Sequence, residues 1–214
     1  MERACVEKMK NEIKIPRQRL VRWISLIAVA LLVITNIAAA AQDLAFRLDP
    51  QSTTIRFTLG DVLHTVRGSF RLREGSLRFD PASGKLTGKI LVDAGSGESG
   101  SGMRDRKMSR EVLESQRYPD IAFQPDHVDG TVSPQGKSSV QVHGMFSIHG
   151  TGHEITVPAE VEMLGDRWTA TLHFAVPYTK WGMKNPSTLF LRVSESVEIE
   201  LTAAGTVDRP RQLQ

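Results

Sequence analysis

From about residue 46 onward, apolar and polar side chains alternate with a period of two in one run after another. Phe46 and Leu48 alternate with Arg47 and Asp49, and Ile55, Phe57 and Leu59 with Arg56 and Thr58. Leu77 and Phe79 flank Arg78; later come Leu86–Val92, Ile121 with Phe123, and Val140, Val142, Phe146 and Ile148. Ile155 to Met163 and Trp168 to Val176 continue the pattern, which closes with Leu189, Leu191, Val193 and with Val197, Ile199, Leu201. Neighbouring side chains on a strand point to opposite faces, so each run has one apolar and one polar side. The spacing predicts eight to ten strands joined by turns such as Asp80-Pro81-Ala82-Ser83-Gly84 and Gly150-Thr151-Gly152. A sheet with one wet face must close on itself or pack on another sheet. An up-and-down antiparallel barrel removes both edges and is favoured over a sandwich.

One segment breaks the alternation. The glycine-serine stretch from Gly95 to Gly102 reads as a flexible linker, and Met103–Ser115 as a helix that ends before Tyr118-Pro119. Met108, Val112 and Leu113 give that helix a short apolar stripe, with Lys107 and Arg110 outward. Arg104, Arg106, Lys107 and Arg110 are interspersed with Asp105 and Glu111, the pattern of a solvated face. A helix inserted once into a barrel either lids a mouth or covers part of the outer wall, and both readings stay open here.

Composition and charge narrow the class. Hydrophobic residues at 40% and charged residues at 24% exclude a disordered polyelectrolyte and a polytopic membrane protein. Of the net charge of +3, residues 1–41 contribute +4, leaving the remainder at −1. The basic character therefore belongs to the leader and implies no nucleic-acid-binding surface. Lys8, Lys10, Lys14, Arg17, Arg19 and Arg22 precede an apolar run from Trp23 to Ile37, which exits through Ala38-Ala39-Ala40-Ala41-Gln42. This is the layout of a secretory signal peptide, cut after Ala40 or Ala41, or alternatively of an uncleaved membrane anchor. Either form places the rest outside the cytoplasm, periplasmic or secreted, because the arginines hold the N-terminus inside. The expected organisation is a leader at 1–41, one barrel domain at 42–207 and a flexible tail at 208–214.

Catalytic chemistry finds no foothold in the motifs. The only cysteine, Cys5, lies in the leader, so the exported part has no disulfide, thiolate ligand or thiol nucleophile. Gly97-Glu98-Ser99-Gly100-Ser101 lacks the final glycine of a nucleophile elbow. His153-Glu154-Ile155-Thr156-Val157 has valine where a zinc-protease helix needs its second histidine, and its alternation is that of a strand. The remaining histidines read as solvated strand residues, and only His149 and His153 flank a turn that could bring them together. No catalytic residue, metal site or cofactor is assigned.

Several segments in order resemble the YceI-like family of extracytoplasmic lipid-binding proteins. They are Phe46-Arg47-Leu48-Asp49-Pro50, Ile55-Arg56-Phe57, His64-Thr65-Val66-Arg67-Gly68-Ser69-Phe70 and Gly75-Ser76-Leu77-Arg78-Phe79-Asp80. Met103-Arg104-Asp105, Tyr118-Pro119-Asp120-Ile121-Ala122-Phe123, Val142–Gly150, Tyr178 with Trp181-Gly182, and Val197–Leu201 follow at suitable spacing. The resemblance covers residues 44–207. It implies an all-β, lipocalin-like antiparallel barrel of about eight strands with one short inserted α-helix. It also implies an apolar bore for a polyisoprenoid or related amphiphile, and a homodimer, since dimers occur in the family. The glycine-serine entry to the helix departs from the family pattern.

Such a bore would be lined by Phe57, Phe70, Phe79, Phe123, Phe146, Ile148, Phe174, Val176 and Leu191, with Met108, Tyr178 and Trp181 at its mouth. Three functions compete. The first is non-enzymatic carriage or sequestration of a long-chain lipid (a polyisoprenoid, isoprenoid quinone or fatty amide) in the cell envelope. The second is a filled barrel acting as a structural or partner-binding module, and the third, weaker, is a histidine-based metal enzyme. A bound isoprenoid-like lipid would be the only non-protein component of the first.

Overall fold

The structure is a computed structural model that describes residues 43–60, 65–187 and 192–208. The leader, His64, Leu189–Leu191 and the C-terminal tail lie outside the described residues. The strands are β1 (Leu44–Leu48), β2 (Thr54–Gly60), β3 (Thr65–Phe70), β4 (Leu72–Phe79) and β5 (Leu86–Asp93), then β6 (Asp120–Asp129), β7 (Gly136–Ile148), β8 (Thr151–Leu164), β9 (Arg167–Val176) and β10 (Val197–Asp208). One α-helix, α1 (Gly102–Lys107), interrupts them and widens into a π-helical turn at Met108–Val112.

Ten strands make an eight-membered ring because two pairs act as single bent strands. β1 and β2 both lie antiparallel to β10, at its C-terminal and N-terminal halves. β3 pairs with β2 and β4 with β1, so β3–β4 forms the next member. From there each strand pairs antiparallel with the next through β10, which closes the circuit on β1 and β2. The break between β1 and β2 is a turn in which the Asp49 carboxylate accepts from Gln51 N–H and the Ser52 hydroxyl. The Thr53 hydroxyl then takes the place of backbone, accepting from Ala204 N–H at 3.2 Å and lying 3.3 Å from the Ala204 carbonyl.

The two ends of the barrel differ in their connections. Tight turns link β4 to β5, β6 to β7 and β8 to β9 at one end, while residues 94–119 and 177–196 span the other. At that second end β7 and β8 meet through His149-Gly150 rather than the expected Gly150-Thr151-Gly152. Both residues have left-handed backbone, with φ of 51° and 77°, the type I′ turn that matches strand twist. A side chain at position 150 would strike the Tyr118 ring.

The glycine-serine stretch is structured, contrary to its composition. Glu98 exchanges backbone hydrogen bonds with Ser69, and the buried Ser96 hydroxyl accepts from Arg71 N–H while donating to the Asp93 carbonyl. Small residues are needed here because the segment passes directly over β3. The predicted single helix is also shorter than expected: the α-helical part stops at Lys107, and the wider turn that follows carries the chain to Leu113. No helix among the described residues is long and apolar enough to cross a membrane.

Candidate functional site

The barrel interior is not filled evenly. Beneath α1 and the 177–187 loop lies a cavity of about 440 Å³, within the range of small-molecule sites. Inward residues of β2, β3 and β5–β10 form its wall: alternation puts Ile55, Phe57 and Leu59 on one strand and Leu172, Phe174 and Val176 on another toward the same space. Phe57 lies over Gly68, its cross-strand partner, where any Cβ would collide with the ring and with the Glu98 carbonyl. Phe57 and Phe70 pack with ring centroids 5.4 Å apart, and Phe146 meets Phe174 edge-on at 5.8 Å.

Of the residues anticipated for the bore, Phe57, Phe70, Phe123, Phe146, Ile148, Phe174 and Val176 line this cavity. Phe79 does not. The pairing of Leu44 with Phe79 carries it to the opposite end, where it lines a smaller pocket of about 100 Å³ with Phe46 and Trp168. Leu191 lies outside the described residues. Ile90, Phe123, Leu172 and Leu201 line both spaces and form the ring between them.

Of the mouth candidates, Met108 and Tyr178 line the cavity. Tyr178 is buried and its hydroxyl donates to the Ser194 carbonyl at 2.6 Å. Burial first, and then the Glu195 charge, hold its phenol above the ordinary value, so it remains a protonated donor. Trp181 is not on the cavity wall; it lies flat on His153 (4.0 Å, 6° between planes) and packs against Phe146 at 5.9 Å. Sequence reading missed Met183, which is buried under the loop beside Tyr178 and Leu113.

The helix is a lid. Ser101, Met103, Arg104, Lys107, Met108, Val112 and Leu113 all border the cavity, and Met103 remains 77% exposed, so the space reaches solvent beside it. Arg104 is exposed, as expected of a solvated face, yet it borders the cavity, and Lys107 is half-buried; the two share one side of the helix because residues three apart are neighbours. That spacing, which also aligns Ser101 with Arg104 and Met108 with Arg104, is the signal that could have found them. The lid is tied to the loop opposite by Lys107 Nζ donating to the Pro186 carbonyl and by the Lys184–Glu111 ion pair, both at 3.2 Å.

The histidines split. His127 and His143 sit at the outer wall beside Asp129 and Asp126, and His173 is exposed. His149 and His153 are less solvated than expected: each has a buried Nε2 without a hydrogen-bond partner, although the Glu114 carboxylate lies 3.2 Å from that of His149. No group of three His, Cys, Asp or Glu among the described residues is placed to hold a metal.

A closed antiparallel barrel with a ligand-sized apolar cavity under a helical lid is the class that this geometry defines. The chain belongs to the YceI-like domain family, whose profile matches residues 46–204. Among solved structures it is similar to BcnA of Burkholderia cenocepacia, with 17% identity, a TM-score of 0.62, and coverage of 74% of this chain and 99% of the other. A polyisoprenoid-binding domain from Saccharophagus degradans, implicated in plant cell wall breakdown, matches at 15% identity and a TM-score of 0.59, covering 78% and 99%. The YCEI protein of Campylobacter jejuni matches at 14% identity and a TM-score of 0.51, covering 63% and 81%. A comparison with curated proteins found no match.

Proposed function

We propose that this protein binds a long apolar amphiphile, a polyisoprenoid, isoprenoid quinone or fatty amide, and carries or sequesters it in the cell envelope without catalysing a reaction on it. The cavity is the observation that supports this most directly. Its wall inside the barrel is hydrocarbon, and among the described residues its charged side chains stand only on the lid. Each methylene moved from water into such a space contributes about 0.8 kcal/mol, so an isoprenoid tail supplies ample driving force against the entropy of immobilising it. The named activity of the Saccharophagus degradans neighbour supports the choice of ligand class. A barrel filled by its own side chains, the main competing reading, would leave no such volume. The basic-then-apolar leader at residues 1–41 supports export, with the leader cleaved or kept as an anchor.

The test is chemical. Protein produced in its own envelope, purified and extracted with organic solvent, should release close to one equivalent of a long-chain lipid by mass spectrometry. Repeated preparations releasing none, together with failure to take up isoprenoid alcohols or quinones in vitro, would refute the carrier reading.

A further inference from the structure

We propose that the lid selects an amphiphile with an anionic head, phosphate or carboxylate, over one with a neutral head. This rests on the carrier reading and specifies its ligand. Among the described residues, the charged groups bordering the cavity are Arg104 and Lys107, with no Asp or Glu on its wall. Neither cation has a carboxylate within ion-pair distance among the described residues. The Arg104 guanidinium donates to the Ser99 hydroxyl at 2.7 Å and to the Ser99 carbonyl at 2.8 Å, and Lys107 donates only to the Pro186 carbonyl.

Of the nearby acids, Glu111 and Glu98 are engaged elsewhere, and Asp105 reaches Arg104 only through a shared hydroxyl. Glu111 pairs with Lys184, Glu98 lies 3.7 Å from Arg71, and Asp105 accepts from the Ser99 backbone N–H and from the same Ser99 hydroxyl to which Arg104 donates. Lys107 therefore borders a hydrocarbon space with its charge unmatched, and Arg104, exposed and joined to Asp105 through the Ser99 hydroxyl, stands one turn away. A tail inserted under the lid would bring its head to the Ser99–Lys107 segment, where the two side chains and the Ser101 hydroxyl offer several donors to one anion. Charge-assisted hydrogen bonds of this kind are roughly twice as strong as neutral ones. Lys107 is half-buried, which limits screening by solvent.

The assignment is tested with three probes sharing one C20 tail, geranylgeranyl phosphate, geranylgeranoic acid and geranylgeraniol, titrated into the purified full-length chain below their aggregation concentrations. The phosphate or the acid should bind about tenfold or more tightly than the alcohol at low salt, and comparing the two anions tells which head is preferred. Lys107→Gln and, separately, Arg104→Gln should shrink that preference, read within each variant as the ratio of anion to alcohol affinity. Should Arg104→Gln lose its fold with the Ser99 contacts, Lys107→Gln alone carries the test. Equal affinity for all three probes in the native chain, or a preference that survives Lys107→Gln, overturns the head-group assignment and leaves the carrier reading standing. Binding of none of them overturns both.

Discussion

The two ends of this barrel are built from the same alternating strands, yet one is packed down to a pocket of about 100 Å³ and the other holds a cavity of about 440 Å³. At the packed end Phe46 and Trp168 meet edge-on, with centroids 5.2 Å apart, and Trp168 Nε1 donates to the Thr206 carbonyl at 3.1 Å. Met163, Ala159 and Ala203 fill the space around them, all with 3% exposure or less. At the other end the residues of equivalent parity (Phe70, Phe174, Ile155, Val197, Ile199) stay only half-buried because they face an unoccupied space. Short turns let the packed end draw together. The long connection at 94–119 and the segment 177–187 instead border the opening and leave the hollow beneath them. Stability and binding are thus concentrated at opposite ends of one sheet.

The contrast makes its largest prediction at the plug. Trp168→Ala removes a buried ring packed against Phe46 and should lower unfolding free energy by about 3–5 kcal/mol, read by urea denaturation. Phe174→Ala truncates an aromatic of the hollow end, which has fewer atoms against it, and should lose only about 1–2 kcal/mol while weakening lipid binding more than Trp168→Ala does. Similar losses of stability from the two substitutions would erase the distinction between the ends.

Between them lies the ring of Ile90, Phe123, Leu172 and Leu201. Leu172→Ala should join the two spaces at a cost of about 2–3 kcal/mol, because the new void has no neighbour able to collapse into it. If the ring is what stops the tail, the variant should favour longer isoprenoids in a competition read by native mass spectrometry. An unchanged chain-length preference would place the stop elsewhere.

How far all this is legible in the chain itself follows from the same contrast. Trp168, Ala170, Leu172, Phe174 and Val176 announce an inward face by parity alone, and that parity survives in β9. What parity cannot tell is which of the five meets a neighbour and which meets a void: Trp168 is packed and Phe174 is not, from one uninterrupted pattern. Phe79 went to the other end from Phe70 because strand pairing around the ring sets height, and pairing with β1 is a long-range fact. That Arg104 and the half-buried Lys107 border the cavity was not legible, because a charged stripe on a six-residue helix carries no mark of what the helix covers. Met183 lies in a loop with no periodicity to betray it.

The smallest expected effect lies on the outer wall, away from both the plug and the hollow. His143 Nδ1 sits 2.7 Å from the Asp126 carboxylate, and this hydrogen bond, outweighing desolvation, holds the imidazole above its ordinary value near 6.5; the charges of Asp126, Glu154 and Asp129 act in the same direction. A folded-state value raised above the unfolded one means a contribution fully present below about pH 6.5 and lost as pH climbs through the raised value. Exposure keeps it small. The urea midpoint should therefore fall slightly between pH 6 and pH 8, and Asp126→Asn should flatten that slope. Because the pair touches neither end, lipid affinity measured over the same interval should not follow the stability. A midpoint that rises with pH, or a slope retained in Asp126→Asn, would assign the pH dependence to another group, and lipid affinity falling in step with stability would mean that the outer wall and the hollow are coupled after all.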